Sequence, residues 1–105
     1  MENIYVIGAS GHAKVVIDIL RCMKKNGNID FDDVYLLDDN EKIIGSTVMG
    51  CKVIGKVSDC EKYKEGRFVI AIGDNKIRRK IACLYELSYI TAKRSGAVIA
   101  ADVEI

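Results

Sequence analysis

Three short clusters carry residue types that could do chemistry. The first is Gly8-Ala9-Ser10-Gly11-His12-Ala13-Lys14. Gly8 permits a sharp turn, and Gly11 lets the backbone come close to a ligand or to a neighbouring strand. With a helix behind them, the N–H groups of Gly11, His12 and Ala13 point outward at the positive end of its dipole, where a phosphate is attracted. The spacing is G-x-x-G rather than the G-x-G-x-x-G of dinucleotide sites, which counts against a standard nicotinamide site. The same residues also fit a plain tight turn. His12, the only histidine, reads either as a hydrogen-bonding contact to a ligand or as a residue packed under the loop. No carboxylate adjoins it in sequence to orient it as a general base.

The second cluster is Asp38-Asp39, directly after Leu37. A carboxylate at the end of the second strand of a βαβ unit commonly accepts hydrogen bonds from ribose hydroxyls; the alternative is a solvated turn with Asn40. The third is Gly73-Asp74-Asn75, followed by Arg78 and Arg79. Gly73 gives a close backbone approach, and Asp74 or Asn75 can cap the helix that follows. Arg78 and Arg79 either clamp an anion from one turn inside that helix or lie solvated on it.

The elements that must position these clusters are legible in the hydrophobic pattern. Asn3–Ile7, Val34–Leu37 and Arg67–Ile72 are continuous apolar runs, as expected of strands buried on both faces, and Tyr89–Ala92 fits a last strand. From His12 the period becomes helical, with Val15, Val16, Ile19, Leu20 and Met23 inward, Ser10 as N-cap and Gly27 just past the end. Between Glu41 and Gly55 only one short strand, Lys52–Ile54, stands out. Ser58 and Glu61 have capping-box spacing for a short helix to about Lys64. Ile77, Ile81, Leu84 and Ser88 mark the inward stripe of a helix running to about Leu87. The order predicts an α/β fold, a Rossmann-like open parallel sheet with helices on both faces. Its strands present the three clusters beyond their carboxyl ends. In the tail, Ile99 and Ile105 repeat at hexapeptide spacing with small residues between, as in the first coil of a β-solenoid.

Composition narrows the function classes. The 105 residues suit one small domain, and 50% apolar content excludes a disordered chain. The net charge of +1 argues against nucleic-acid binding. No apolar run approaches the ~18 residues of a membrane span, and MENIYVIGASGH lacks the basic start of a signal peptide. Cys22, Cys51, Cys60 and Cys83 show no C-x-x-C spacing and read as reduced, small apolar residues, which with the absent leader predicts a cytoplasmic protein. A metal site is not expected.

IYVIGASGHAKVV near the start, YLLDD at the second strand, FVIAIGDNKIRRKI at the third and AVIAADVEI at the end form an ordered set. Together they resemble the sialic acid O-acetyltransferase NeuD family, which includes the PglD-type sugar-nucleotide N-acetyltransferases. The resemblance implies a two-domain enzyme. An N-terminal α/β domain holds a nucleotide-linked sugar or a sugar acid. A C-terminal left-handed β-helix of hexapeptide repeats forms trimers, binds acetyl-CoA as co-substrate and carries the catalytic histidine. On that reading residues 1–92 are the Rossmann-like domain, and 93–105 are a linker and the start of a truncated β-helix. The implied substrate contacts are Gly8, Ala9, Ser10, Gly11, His12, Asp38, Asp39, Gly73, Asn75 and Arg78, with no catalytic residue and no bound cofactor in this chain. Arg94-Ser95-Gly96-Ala97 stands where the family often has a His-Pro-Ser-Ala-like stretch. The alternative is a stand-alone nucleotide-binding or interaction module without transferase activity.

Overall fold

The computed structural model describes residues 3–9, 11–27, 29–72, 74–85, 87–92 and 98–101. Strand β1, Ile4–Ile7, has every residue buried. Alternate side chains serve opposite faces, as the twofold repeat of a strand requires. Ile4 and Val6 join one core cluster, and Tyr5 and Ile7 join the other. Helix α1, Gly11–Lys25, covers the first face with Ala13, Val16, Ile17, Leu20 and Met23. The inward stripe is therefore turned slightly from the sequence expectation: Val15 is exposed and Ile17 is fully buried. The helix ends as expected at Gly27, whose φ of 78° opens a left-handed turn. Its N–H donates to Lys24 O at 3.1 Å, and the Lys24 ammonium sits 4.6 Å over the Phe31 ring.

Strand β2, Val34–Leu37, follows. Strands β3, Thr47–Val48, and β4, Cys51–Gly55, form a hairpin where a loop and one strand were expected. Its two turn residues, Met49 and Gly50, both take positive φ (50° and 80°), the geometry that matches strand twist in two-residue hairpins. A 3-10 helix, Val57–Tyr63, leads to β5, Arg67–Ile70. The expected Ser58–Glu61 capping box is displaced by two residues. Asp59 accepts from Lys56 N–H at 3.0 Å, so the turn starts earlier.

Helix α2, Asn75–Leu84, opens on Asp74, whose Oδ1 accepts from Lys76 and Ile77 N–H at 2.8 and 3.1 Å. It stops three residues short of the expected Leu87 because Tyr85 turns extended, its N–H donating to Ile81 O at 3.0 Å. The turn that was to hold Leu84 and Ser88 against the sheet is missing. Ile81 is buried, but Ile77 and Leu84 are 47% and 61% exposed. Strands β6, Ser88–Ala92, and β7, Val98–Ala101, complete the sheet.

The sheet order is β3-β4-β2-β1-β5-β6-β7. The central run β4-β2-β1-β5-β6 is parallel, and both edges are antiparallel. The Rossmann-like α/β sheet covered on both faces is therefore present. The solenoid coil read from the tail is not shown: residues 98–101 form β7, paired antiparallel to β6. Residues 93–97 and 102–105 lie outside the described residues. Cys51 and Cys60 behave as buried apolar residues, whereas Cys22 and Cys83 are exposed.

Candidate functional site

Register brings the three clusters to one edge. β1 pairs in parallel with β2 on one side and β5 on the other, Ile7 lying opposite both Leu37 and Ile70. All three strands end together, and the residues after them share one rim. The chain reverses direction across the sheet between β1 and β5, which is where open α/β sheets bind ligands.

Gly8 is held from both flanks. Gly8 N–H donates to Leu37 O at 2.7 Å. Gly8 has a φ of 103°, and a Cβ there would stand 2.9 Å from Ala71 O. Glycine at this position is a demand of the fold. Gly11 differs. It is the first residue of α1, and a Cβ there would meet nothing within 4 Å. Its bareness serves no packing need and leaves the space above the helix end open. The first turn of α1 itself contains no acidic residue, and the carboxylate that approaches this end comes from β2, through Asp38 on Ala9 N–H. His12 is exposed in that turn. Ser10, the expected N-cap, lies outside the described residues.

The tandem aspartates are each engaged with backbone. Asp38, half-buried, accepts from Ala9 N–H through Oδ2 and from Asn40 N–H through Oδ1, both at 2.8 Å. Asp39, exposed, accepts from Val57 N–H at 3.0 Å and so caps the 3-10 helix. Nearby, Lys56 pairs with Glu41 at 2.6 Å on the surface, which holds the Glu41 carboxyl below its usual range and raises the Lys56 ammonium. The backbone bond from Lys56, with Lys62 assisting, likewise lowers Asp59.

In the third cluster Asp74, rather than Asn75, supplies the cap, so the N-terminus of α2 already holds a carboxylate. Gly73 lies outside the described residues, and Asn75 is placed by its backbone as the first residue of α2. Arg78 stands one turn in, half-buried, and its Nε is buried with no hydrogen bond among the described residues. The rim thus brings together Gly8, Ala9, Gly11, His12 and Asp38, and Asp39 leans toward the 3-10 helix. Sequence reasoning missed Ala71, whose carbonyl backs Gly8, and the Val57 amide that occupies Asp39. Neither backbone role leaves a residue-type signal. Among the described residues no group of His, Cys, Asp and Glu could hold a metal ion, and no helix is long and apolar enough to cross a membrane.

A parallel sheet with a glycine turn at its switch point, feeding a helix whose first turn lacks acid, defines a Rossmann-like α/β domain. Residues 3–84 match the family described as the PglD N-terminal domain. The chain is also similar to "Uncharacterized protein L142" of Acanthamoeba polyphaga mimivirus, 36% identical over 98 residues. That match covers 84% of this chain and 18% of the viral protein, so the chain spans about a fifth of that relative's length. The chain belongs to the PglD N-terminal domain family.

Proposed function

We propose that the chain is the substrate-holding domain of an acetyl-CoA-dependent sugar acetyltransferase, binding a nucleotide-linked sugar at the rim of β1, β2 and β5. The diphosphate lies over the N-terminus of α1, against the amides of Gly11, His12 and Ala13. Gly8 through Gly11 shape the cradle. Asp38 and Asp39 border the ribose side, and Gly73, Asn75 and Arg78 close the opposite side. His12 contributes a hydrogen bond and does no proton transfer. Acetyl transfer itself, the acetyl-CoA site and the trimer belong to a hexapeptide β-helix, and the setting is cytoplasmic.

One observation carries the reading: Gly11 is a glycine that the fold does not require. Its φ is not in the left-handed region, and a side chain there would meet only open space. Helix formation alone would favour almost any other residue. A bare position at a helix N-terminus without first-turn acids is what close approach of an anion needs. At α2 the amides of Lys76 and Ile77 are already taken by Asp74.

The test is Gly11→Val, titrated with UDP- and CMP-linked sugars beside the parent chain. The variant melts within a few degrees of the parent, because no atom obstructs the new side chain, and it binds at least about tenfold more weakly because the amides are screened. Undiminished binding by Gly11→Val would make this loop a structural turn.

A further inference from the structure

We propose that Asp38 is a positioning residue that shapes the glycine loop by holding Ala9, rather than a group that reads the ligand's ribose; this rests on the nucleotide reading above. Both carboxylate oxygens are committed to backbone amides, Oδ2 to Ala9 N–H and Oδ1 to Asn40 N–H, each at 2.8 Å. Two charge-assisted bonds in different directions fix the orientation of the carboxylate. Asp39 offers the contrast. It is exposed, its Oδ1 takes the Val57 amide, and its Oδ2 makes no hydrogen bond among the described residues. Of the two aspartates, Asp39 is the one with an oxygen that holds no amide among the described residues.

The bond to Ala9 has a consequence for the loop. The Ala9 N–H is turned toward β2 and withdrawn from any ligand. Ala9 itself is buried, as is Ala13 one turn below it. Gly8 is tied to Leu37 O on the β2 side and abuts Ala71 O on the β5 side. Asp38 adds the next tether along the chain. With Gly8 and Ala9 both fixed, the chain is anchored two residues before α1, and neither of their amides is left for an anion. A single carboxylate at the end of β2 therefore tethers the approach to the first turn of α1.

The experiment uses Asp38→Ala and Asp38→Asn in the full chain, with two readouts. One is amide hydrogen exchange at Ala9; the other is titration with UDP, 2′-deoxy-UDP and inorganic pyrophosphate. For Asp38→Ala, Ala9 exchanges at least about tenfold faster while the β1 amides keep their protection. Affinity for all three probes drops by a common factor of about tenfold, the loss of one charge-assisted bond. Asp38→Asn keeps a carbonyl oxygen for the Ala9 amide and recovers most of both effects. A loss confined to UDP, with pyrophosphate and the deoxy analogue unaffected, would make Asp38 a ribose reader and overturn the proposal. So would unchanged exchange at Ala9. Should Asp38→Ala fail to fold, the same comparison is made on Asp38→Asn, where preferential loss of UDP is the overturning result. A parent chain that binds none of the three probes removes the nucleotide reading, and the loop-shaping role is then decided by Ala9 exchange alone.

Discussion

The two faces of the sheet are covered very differently. On one, the fifteen residues of α1 close a cluster that includes Ile4, Val6, Leu36, Val53 and Val69. On the other, a seven-residue 3-10 helix and the ten-residue α2 share the work. There the packing is aromatic: Tyr5 stacks on Tyr63 at 4.7 Å and on Phe68 at 5.2 Å, and Phe68 meets Tyr89 edge-on at 6.5 Å. Apolar side chains on α2 remain in water on this face. The candidate site hangs on the start of α1, the helix with the closed core beneath it. A rigid support fixes where the amides of Gly11 to Ala13 sit, and the half-open face is free to vary without moving them.

The largest effect is expected on the closed face. Leu20 is fully buried in the middle of α1. Leu20→Ala should cost about 2–5 kcal/mol in urea unfolding, from lost transfer energy and the cavity left behind. A cost below about 1 kcal/mol would mean that α1 is not seated as described.

The second face has its own signature in alkali. Burial pushes the Cys60 thiol up from 9.0 to about 11, with Glu61 adding repulsion. Burial also pushes Tyr89 from 10.0 up to about 12, with Cys60 contributing. In each case the folded state keeps its proton when the unfolded state has lost it. Stability therefore falls as pH rises from about 9 to about 12. A melting series across that window should decline, and Cys60→Ala should flatten its lower part, between about pH 9 and 11. An unchanged slope in the variant would locate the loss elsewhere.

A smaller effect belongs to the capped end of α2. Asp74→Ala removes the acceptor for Lys76 and Ile77 N–H and should cost about 1 kcal/mol by denaturant titration. Asp74→Asn or Asp74→Ser should recover most of it, because either keeps a capping oxygen.

The same contrast governs what could be read from the sequence. Strands buried on both faces announce themselves as unbroken apolar runs, so β1, β2 and β5 were legible. β4 was legible in part, as Lys52–Ile54, but its hairpin partner β3 was not, because a two-residue strand has no periodicity and the turn carries Met49 where Asn or Asp would have signalled the positive φ. For α2 the apolar stripe of Ile77, Ile81 and Leu84 was visible, but burial of the stripe depends on tertiary cover that periodicity does not encode. At the site the residue types were legible and their tasks were not. Asp38 and Asp39 look alike in sequence, and only their backbone partners, Ala9 and Val57, separate a loop tether from a helix cap. Likewise Gly8 and Gly11 are the same letter, yet one is forced by Ala71 and the other faces open space.

The smallest expected effect is also the sharpest test of the half-open face. Leu84 is 61% exposed, at the last helical position of α2. Full burial of a leucine contributes about 1.5–3 kcal/mol, and a side chain with less than half its surface covered contributes proportionately less. The position is terminal, so the lower helix propensity of serine has little leverage there. Leu84→Ser should therefore change stability by no more than about 0.5 kcal/mol, several times less than Leu20→Ala. Both variants belong in one urea series, repeated at two protein concentrations. If Leu84→Ser costs as much as Leu20→Ala, the second face is covered in solution and the two-face contrast collapses. A cost that grows with protein concentration would assign that cover to a second copy, and a concentration-independent one to the chain itself. A near-zero cost at both concentrations keeps α2 as described, a helix anchored by Ile81 and capped by Asp74, with Leu84 in water.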